Sequence, residues 1–181
     1  MKRQTAPAQG PHGPARSSAQ ARPPAAFVVE PLASYPHLVG LIAGWFTAQW
    51  PDWYGPAGPG DVHADLRAFS ASEHRLPVAL VAFELGRPIG VGALKAASIA
   101  SHRHLSPWAA AGYVLPQRRG CGAGAALLRA LVAHAGKLGH ARVYCGTSTA
   151  ESLLLRSGWS VHEVTLHDGQ ALTIFQSAAA V

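Results

Sequence analysis

The residues best placed for chemistry lie between Tyr113 and Leu128. An apolar run, Tyr113-Val114-Leu115, stops at Pro116. Arg118 and Arg119 follow, then glycines at alternate positions, Gly120, Gly122 and Gly124, with Cys121 and Ala123 between them. From Ala125 an amphipathic pattern runs to about Leu138. The order is a strand, a glycine-rich turn and the start of a helix. A helix N-terminus has unpaired N–H groups and the positive end of the helix dipole. Glycine lets the backbone close on a ligand without a Cβ clash. With Arg119 beside the turn, the chemistry offered is binding of an anion, most naturally phosphate or pyrophosphate.

Two other groups are candidates. His102 and His104 lie in a polar loop, Ser98 to Pro107, and imidazoles change charge near neutrality. Exposed loop residues are the simpler reading of both. Without a companion ligand, His102-x-His104 predicts no metal site. Asp52, Trp53 and Tyr54 belong to a Pro- and Gly-rich aromatic loop, Trp50 to Gly60. Such a loop binds a ligand or roofs the core, and the two roles are compatible. Cys121 at a helix start has the setting of a low-pKa thiol, but filling a small position is the simpler role. Cys145 reads as core.

Three phosphate-binding patterns compete for the glycine turn. A P-loop requires Gly-x-x-x-x-Gly-Lys-Ser/Thr, and no Lys follows these glycines. The dinucleotide fingerprint is met by Gly120-x-Gly122-x-x-Ala125. It also needs an acid at the end of the next strand, and Ala141 to Cys145 contains none. The third pattern, Gln/Arg-x-x-Gly-x-Gly/Ala, fits in two frames, Gln117 to Gly122 and Arg119 to Gly124. The wider run Val114-x-Pro116-x-x-Arg119-Gly120-x-Gly122-x-Gly124-x-x-Leu127-Leu128 resembles the pyrophosphate-binding signature of the GNAT superfamily of acyl-CoA-dependent N-acetyltransferases.

The resemblance implies acetyl-CoA as cofactor and an amine, small-molecule or peptide, as acceptor. It implies that Arg119, Gly120, Cys121, Gly122, Ala123, Gly124 and Ala125 hold the pyrophosphate. It also implies that the backbone of Tyr113, Val114 and Leu115 pairs with the pantetheine arm as if with a strand. The family often places a carboxylate base on its fourth strand, where this chain has Ala109 to Gly112. It often places a Tyr acid four residues before the Gly that ends the last helix, where this chain has Leu154. Water, His104, His102 or Asp52 would then handle the proton, with Asp52, Trp53 and Tyr54 near the acceptor. A non-catalytic acyl-CoA-binding or regulatory domain is the alternative. A dinucleotide-binding oxidoreductase, using NAD, is a second.

The elements that must position these residues are readable in order. Phe27 to Glu30 forms a strand. Ser34 caps a helix with Pro36 in its first turn and an apolar stripe of Leu38, Leu41, Ile42, Trp45 and Phe46. Asp61 caps a second helix carrying Leu66 and Phe69. Pro77–Glu84 and Ile89–Leu94 form a hairpin. The strand from Trp108 to Leu115 is nearly bare at Ala109-Ala110-Ala111-Gly112, marking a bulge or close approach by a ligand. A helix ends at Gly139, and Arg142 to Gly146 is the next strand. Ser148-Thr149-Ala150-Glu151 reads as a capping box for a short helix. Two strands from Trp159 to Gln176 close the chain as a hairpin. The class is therefore α/β: about seven strands in a mixed, mostly antiparallel sheet, four helices and one central β-α-β crossover, which is the order expected of the GNAT fold.

Composition sets the outer bounds. Residues 1–25 are rich in Ala, Pro and Gly and have little to bury, so a disordered tail is expected before a single domain at 26–181. The net charge of +6 is concentrated there, since Lys2, Arg3, Arg16 and Arg22 have no acid among them. The rest carries 11 Lys and Arg against 9 Asp and Glu, so no nucleic-acid partner is expected. No apolar run approaches the ~20 residues of a membrane span, and no secretory signal is visible. A cytoplasmic protein is expected, with homodimerisation left open, and the Ala, Gly, Pro and Arg usage hints at a bacterial source.

Overall fold

The computed structural model describes residues 27–180; the expected tail lies outside the described residues. One seven-stranded sheet runs β1-β2-β3-β4-β5-β7-β6. Its strands are β1 (Phe27–Pro31), β2 (Val78–Glu84), β3 (Arg87–Lys95), β4 (Trp108–Val114), β5 (Arg142–Thr147), β6 (Ser160–His167) and β7 (Gln170–Ala178). The helices are α1 (Val39–Gln49), α2 (Pro51–Tyr54), α3 (Val62–Ser70), α4 (Ala123–Lys137) and α5 (Glu151–Arg156). All neighbouring strands are antiparallel except β4 and β5, which α4 connects as the crossover. This is the expected fold with one added helix, because Pro51–Tyr54 winds into a turn of helix where a loop was expected.

Two helix starts differ from expectation. Ser34 does not cap α1; it ends a 3-10 turn, Leu32–Ser34, followed by a second, Pro36–Leu38. Tyr35 separates the turns because a residue before proline avoids the helical region. Its hydroxyl donates to the Glu30 carboxylate and its ring packs on Phe83 at 4.8 Å. The capping box at Ser148 does not form either. Thr147 Oγ1 accepts from the N–H groups of Thr149 (3.1 Å) and Ala150 (2.9 Å). Helix α5 therefore begins at Glu151, two positions before the one from which a carboxylate could reach back, and that carboxylate instead accepts from the Thr173 hydroxyl at 2.8 Å. Asp61 does cap α3, accepting from Ala64 N–H at 2.8 Å.

The two faces of the sheet bury different partners. Leu131 and Ala135 of α4 and Leu154 of α5 pack on Val78, Leu80, Leu94, Val143 and Phe175. On the opposite face, Ile42 and Phe46 of α1 and Leu66 and Phe69 of α3 pack on Ala79, Val81, Val91 and Ala93. Full burial of each large side chain contributes about 1.5–3 kcal/mol. Trp108 and Ala110 alternate onto the α1 face, since Ala110 lies opposite Ala93. The β3–β4 loop covers the same face further along, with Ile99 and Leu105 packed against Trp108 and Ile174.

The bare segment of β4 is a bulge. Val91 lies opposite Tyr113 and Ala93 opposite Ala110, so Gly92 alone faces both Ala111 and Gly112. Ala111 takes φ +50° to admit the extra residue.

Candidate functional site

Strands β4 and β5 touch at one position, Trp108 against Tyr144, where Tyr144 N–H donates to Pro107 O at 2.9 Å. Beyond it they part, leaving a gap between Ala109–Val114 and Cys145–Thr147. The ladder decides what β4 shows to that gap. Leu115 N–H donates to Ile89 O at 2.9 Å, and Val114 lies opposite Gly90. Antiparallel alternation then turns the Val114 N–H and C=O away from β3, toward the gap. Of the three backbone residues singled out by sequence, Val114 is the one with both polar groups on the open side.

The gap leads to the start of α4. Gly120 (φ +75°) and Gly122 (φ +98°) take the left-handed conformation that the turn requires, and Gly122 is the residue before the helix. The first intrahelical bond runs from Ala126 N–H to Gly122 O at 2.9 Å. The N–H groups of Ala123, Gly124 and Ala125 therefore have no intrahelical acceptor. The first turn contains no acid, so nothing there competes with an incoming anion for the dipole. Arg119 crosses the end of β4: Nε donates to Val114 O at 3.0 Å, Nη2 to Gln49 Oε1 at 3.1 Å, and the guanidinium lies 5.8 Å from the Tyr113 ring centre. Arg118 is held by Glu84 at 2.9 Å, and the exposed Cys121 thiol donates to Arg118 O at 2.7 Å.

The glycines divide by what a Cβ would meet. At Gly90 it would lie 2.8 Å from Tyr113 O, and at Gly124 3.0 Å from Leu153 Cδ2. Gly90 is thus a packing glycine, and Gly124 has helix α5 to accommodate. At Gly112 and Gly120 no heavy atom lies within 4 Å. These two line open space, at the bulge and at the turn, as a groove that admits a ligand would require.

The other candidates scatter. Tyr54 is locked into the core, stacked on Phe46 and donating to Asp65 Oδ2 at 2.6 Å; burial and that bond push its pKa well above the usual phenol range. Asp52 and Trp53 are exposed on α2, with the Trp53 indole lying over Gly60. His104 is exposed, but His102 is not the exposed loop residue expected. It is 8% exposed, with Nδ1 2.8 Å from Ser101 Oγ and Nε2 2.8 Å from Glu163 Oε1 on β6. That bond ties the β3–β4 loop to the far edge of the sheet. Leu154 is 1% exposed in the core, and burial pushes the Cys145 thiol up to about 12.

Sequence reasoning missed Tyr144 and Trp45. Tyr144 is half-buried at the closed end of the gap, between Trp108 (6.0 Å) and His162 (5.4 Å). Trp45 stacks on Tyr113 at 5.5 Å and brings α1 over β4. Both lie inside elements the sequence identified, and only cross-strand register puts them at the gap. A depression of about 320 Å³ lies at the end of β5, lined by Ser148, His167, Asp168 and Leu172. Another, of about 300 Å³, lies at the opposite end of the strand around Arg142 and Gly158, away from the gap. Among the described residues there is no cluster of three His, Cys, Asp or Glu side chains fit for a metal, and no helix long and apolar enough to cross a membrane.

The family model described as acetyltransferase (GNAT) matches residues 38–153. A search of curated proteins finds no match. Among solved structures, an aminoglycoside 6'-N-acetyltransferase complexed with coenzyme A is similar at 12% identity, over 83% of this chain and 96% of that one, with a TM-score of 0.67. The aminoglycoside 6'-N-acetyltransferase from Enterococcus faecium gives 12%, 83%, 96% and 0.66 by the same measures. An N-acetyltransferase from Staphylococcus aureus Mu50 gives 14%, 84%, 98% and 0.63. At these identities the likeness is one of fold.

Proposed function

Because the chain belongs to the GNAT acetyltransferase family, we propose that it transfers an acetyl group from acetyl-CoA to an amine, with the CoA arm lying in the gap between β4 and β5. The observation that carries this is the alignment of three features along one path: the outward Val114 N–H and C=O, the clearance at Gly112, and the N–H groups at the start of α4. The residues fit the group. An amide-containing arm needs a strand-like edge, and a pyrophosphate needs a helix start free of acids. When bound, acetyl-CoA supplies an activated thioester acetyl group.

The chain's own residues then have distinct tasks. The N–H groups of Ala123, Gly124 and Ala125, with Gly120 and Gly122 shaping the turn, hold negative charge. Arg119 adds a cation beside them. Backbone donors near the bulge polarise a carbonyl. Trp45 and Tyr113 cover the gap on the α1 face. No side chain of Ala109–Gly112 can take a proton, and Leu154 cannot give one. His102 has both ring nitrogens engaged. Water is therefore the favoured proton carrier, with His104 and Asp52 as the side chains remaining. General acid–base help is worth roughly 10²–10⁴ in rate, so turnover without it is slow but still driven by positioning and carbonyl polarisation.

The same bare β4 and buried Leu154 favour the second reading, an acyl-CoA-binding domain without catalysis. CoA-thiol release on adding amines separates the two. Amine-dependent release supports transfer, and acetyl-CoA binding without it supports the second reading.

A further inference from the structure

We infer that the acceptor is a single, weakly basic amine carried on a flat, largely apolar body, rather than a polycation; this rests on the transferase reading above. The first support is the shape and chemistry of the acceptor side. Trp108, Ala110 and Tyr113 share the sheet face covered by α1. On that face α1 closes over β4 through the Trp45–Tyr113 stack, and the β3–β4 loop closes over β5 through Ile99. A Cβ on Gly146 would lie 3.0 Å from Ile99 Cδ1 and 3.1 Å from Leu172 Cδ2. The α1-face side of the gap is thus walled by the half-buried rings of Trp45 and Tyr113, with Tyr144 at its closed end, while Ile99 is buried above Gly146 and fills the space there. Such walls favour a flat apolar group by burial and ring stacking.

The second support is where the negative charge goes. Holding several ammonium groups requires several converging carboxylates. The chain has nine Asp and Glu. On the α1 side Glu30 accepts from Tyr35, Asp65 accepts from Tyr54, and Glu163 faces His102; Glu84, on the α4 face beside Phe27, pairs with Arg118. Asp61 caps α3 and Glu151 accepts from Thr173. Glu73 and Asp168 each face a neighbouring histidine. Only Asp52 lacks a partner among the described residues. The depression at the end of β5 has a single carboxylate, Asp168, on its rim.

The third support is the proton. Attack on a thioester requires the neutral amine. The β4 positions facing the reaction are Ala110, Ala111 and Gly112, so β4 supplies no base. At pH 7 an α-amino group of pKa about 8 is neutral about 230-fold more often than an alkylamine of pKa about 10.4.

The test compares three acceptors at pH 7 with saturating acetyl-CoA, reading CoA-thiol release. They are phenylalanine amide, cadaverine and kanamycin: one weakly basic amine on an aromatic body, two alkylamines on a chain, and a polycation. The expected result is a kcat/KM for phenylalanine amide at least ~10-fold above both others. Equal or better turnover of cadaverine or kanamycin would overturn the inference while leaving the transferase reading intact. No release with any acceptor, while calorimetry shows acetyl-CoA bound, would overturn the transferase reading and this inference with it.

Discussion

Replacing Gly112 with leucine tests whether the clearance at the β4 bulge belongs to a ligand. No heavy atom lies within 4 Å of a Cβ at this position, and its φ is outside the left-handed region. A Cβ there therefore meets nothing in the protein. Losing a strand glycine relieves roughly 0.5–1 kcal/mol of backbone entropy, so the melting temperature should hold or rise slightly. Binding should respond differently, because the added side chain projects into open space two residues from the outward Val114 N–H and C=O. A main-chain hydrogen bond is worth about 0.5–1.5 kcal/mol net, and since Arg119 Nε already donates to the Val114 carbonyl, the bond at stake is the one from the Val114 N–H. Losing it is a rise in CoA Kd of about 2- to 13-fold. Isothermal calorimetry with CoA, beside a thermal melt, reads both. The control is Gly90→Ala, whose Cβ would meet Tyr113 O at 2.8 Å and should lower the melting temperature. A Gly112→Leu protein that melts normally and binds CoA within twofold of wild type would refute the placement of the arm.

Arg119→Ala should raise the Kd for CoA by about 3- to 10-fold, with a weaker salt dependence, because backbone donors remain at the α4 start. Calorimetry at two ionic strengths checks it. In the native protein iodoacetamide should label Cys121, which is exposed, and spare Cys145, whose thiol burial holds near a pKa of about 12. Added CoA should slow the Cys121 reaction, and mass spectrometry reads both sites. Asp61→Ala removes the α3 cap and should lower the melting temperature by a few degrees at pH 7. The Ala64 N–H holds the Asp61 carboxyl below its usual range. Its contribution is therefore present above the ordinary carboxylate pKa of about 4 and lost as pH falls through the depressed value, so wild type and variant should converge in melts below that window. Glu163→Ala strips the partner from the buried His102 and should cost on the order of 1 kcal/mol, visible in a urea melt.

Features fixed by near neighbours were legible in the sequence. The turn at Gly120–Gly122 needs positive φ at both glycines, and its composition announces this. Ala109 to Gly112 signalled a bulge, and Ala111 and Gly112 form one. The Leu85-Gly86 and Asp168-Gly169 turns take the paired positive φ of tight hairpins. Features fixed by distant partners were not legible. His102 is buried because Glu163, far along the chain on β6, meets it. Tyr144 reaches the gap only through its pairing with Trp108. The Ser148 capping box had the right residues, but the Thr147 hydroxyl took the N–H groups first. Gly124 fits the phosphate pattern and yet a Cβ there would crowd Leu153, a contact that helix α5 alone reveals.

The central claim, that the gap between β4 and β5 presents acetyl-CoA to an amine, is tested most directly by adding phenylalanine amide to the protein and acetyl-CoA and following free CoA thiol and acetylated product together. The account predicts release of thiol and acetylated amine in equal amounts, saturating in acetyl-CoA and slowed in Gly112→Leu at sub-saturating acetyl-CoA. Thiol released without acetylated product, or at the same rate with Gly112→Leu under those conditions, would contradict it.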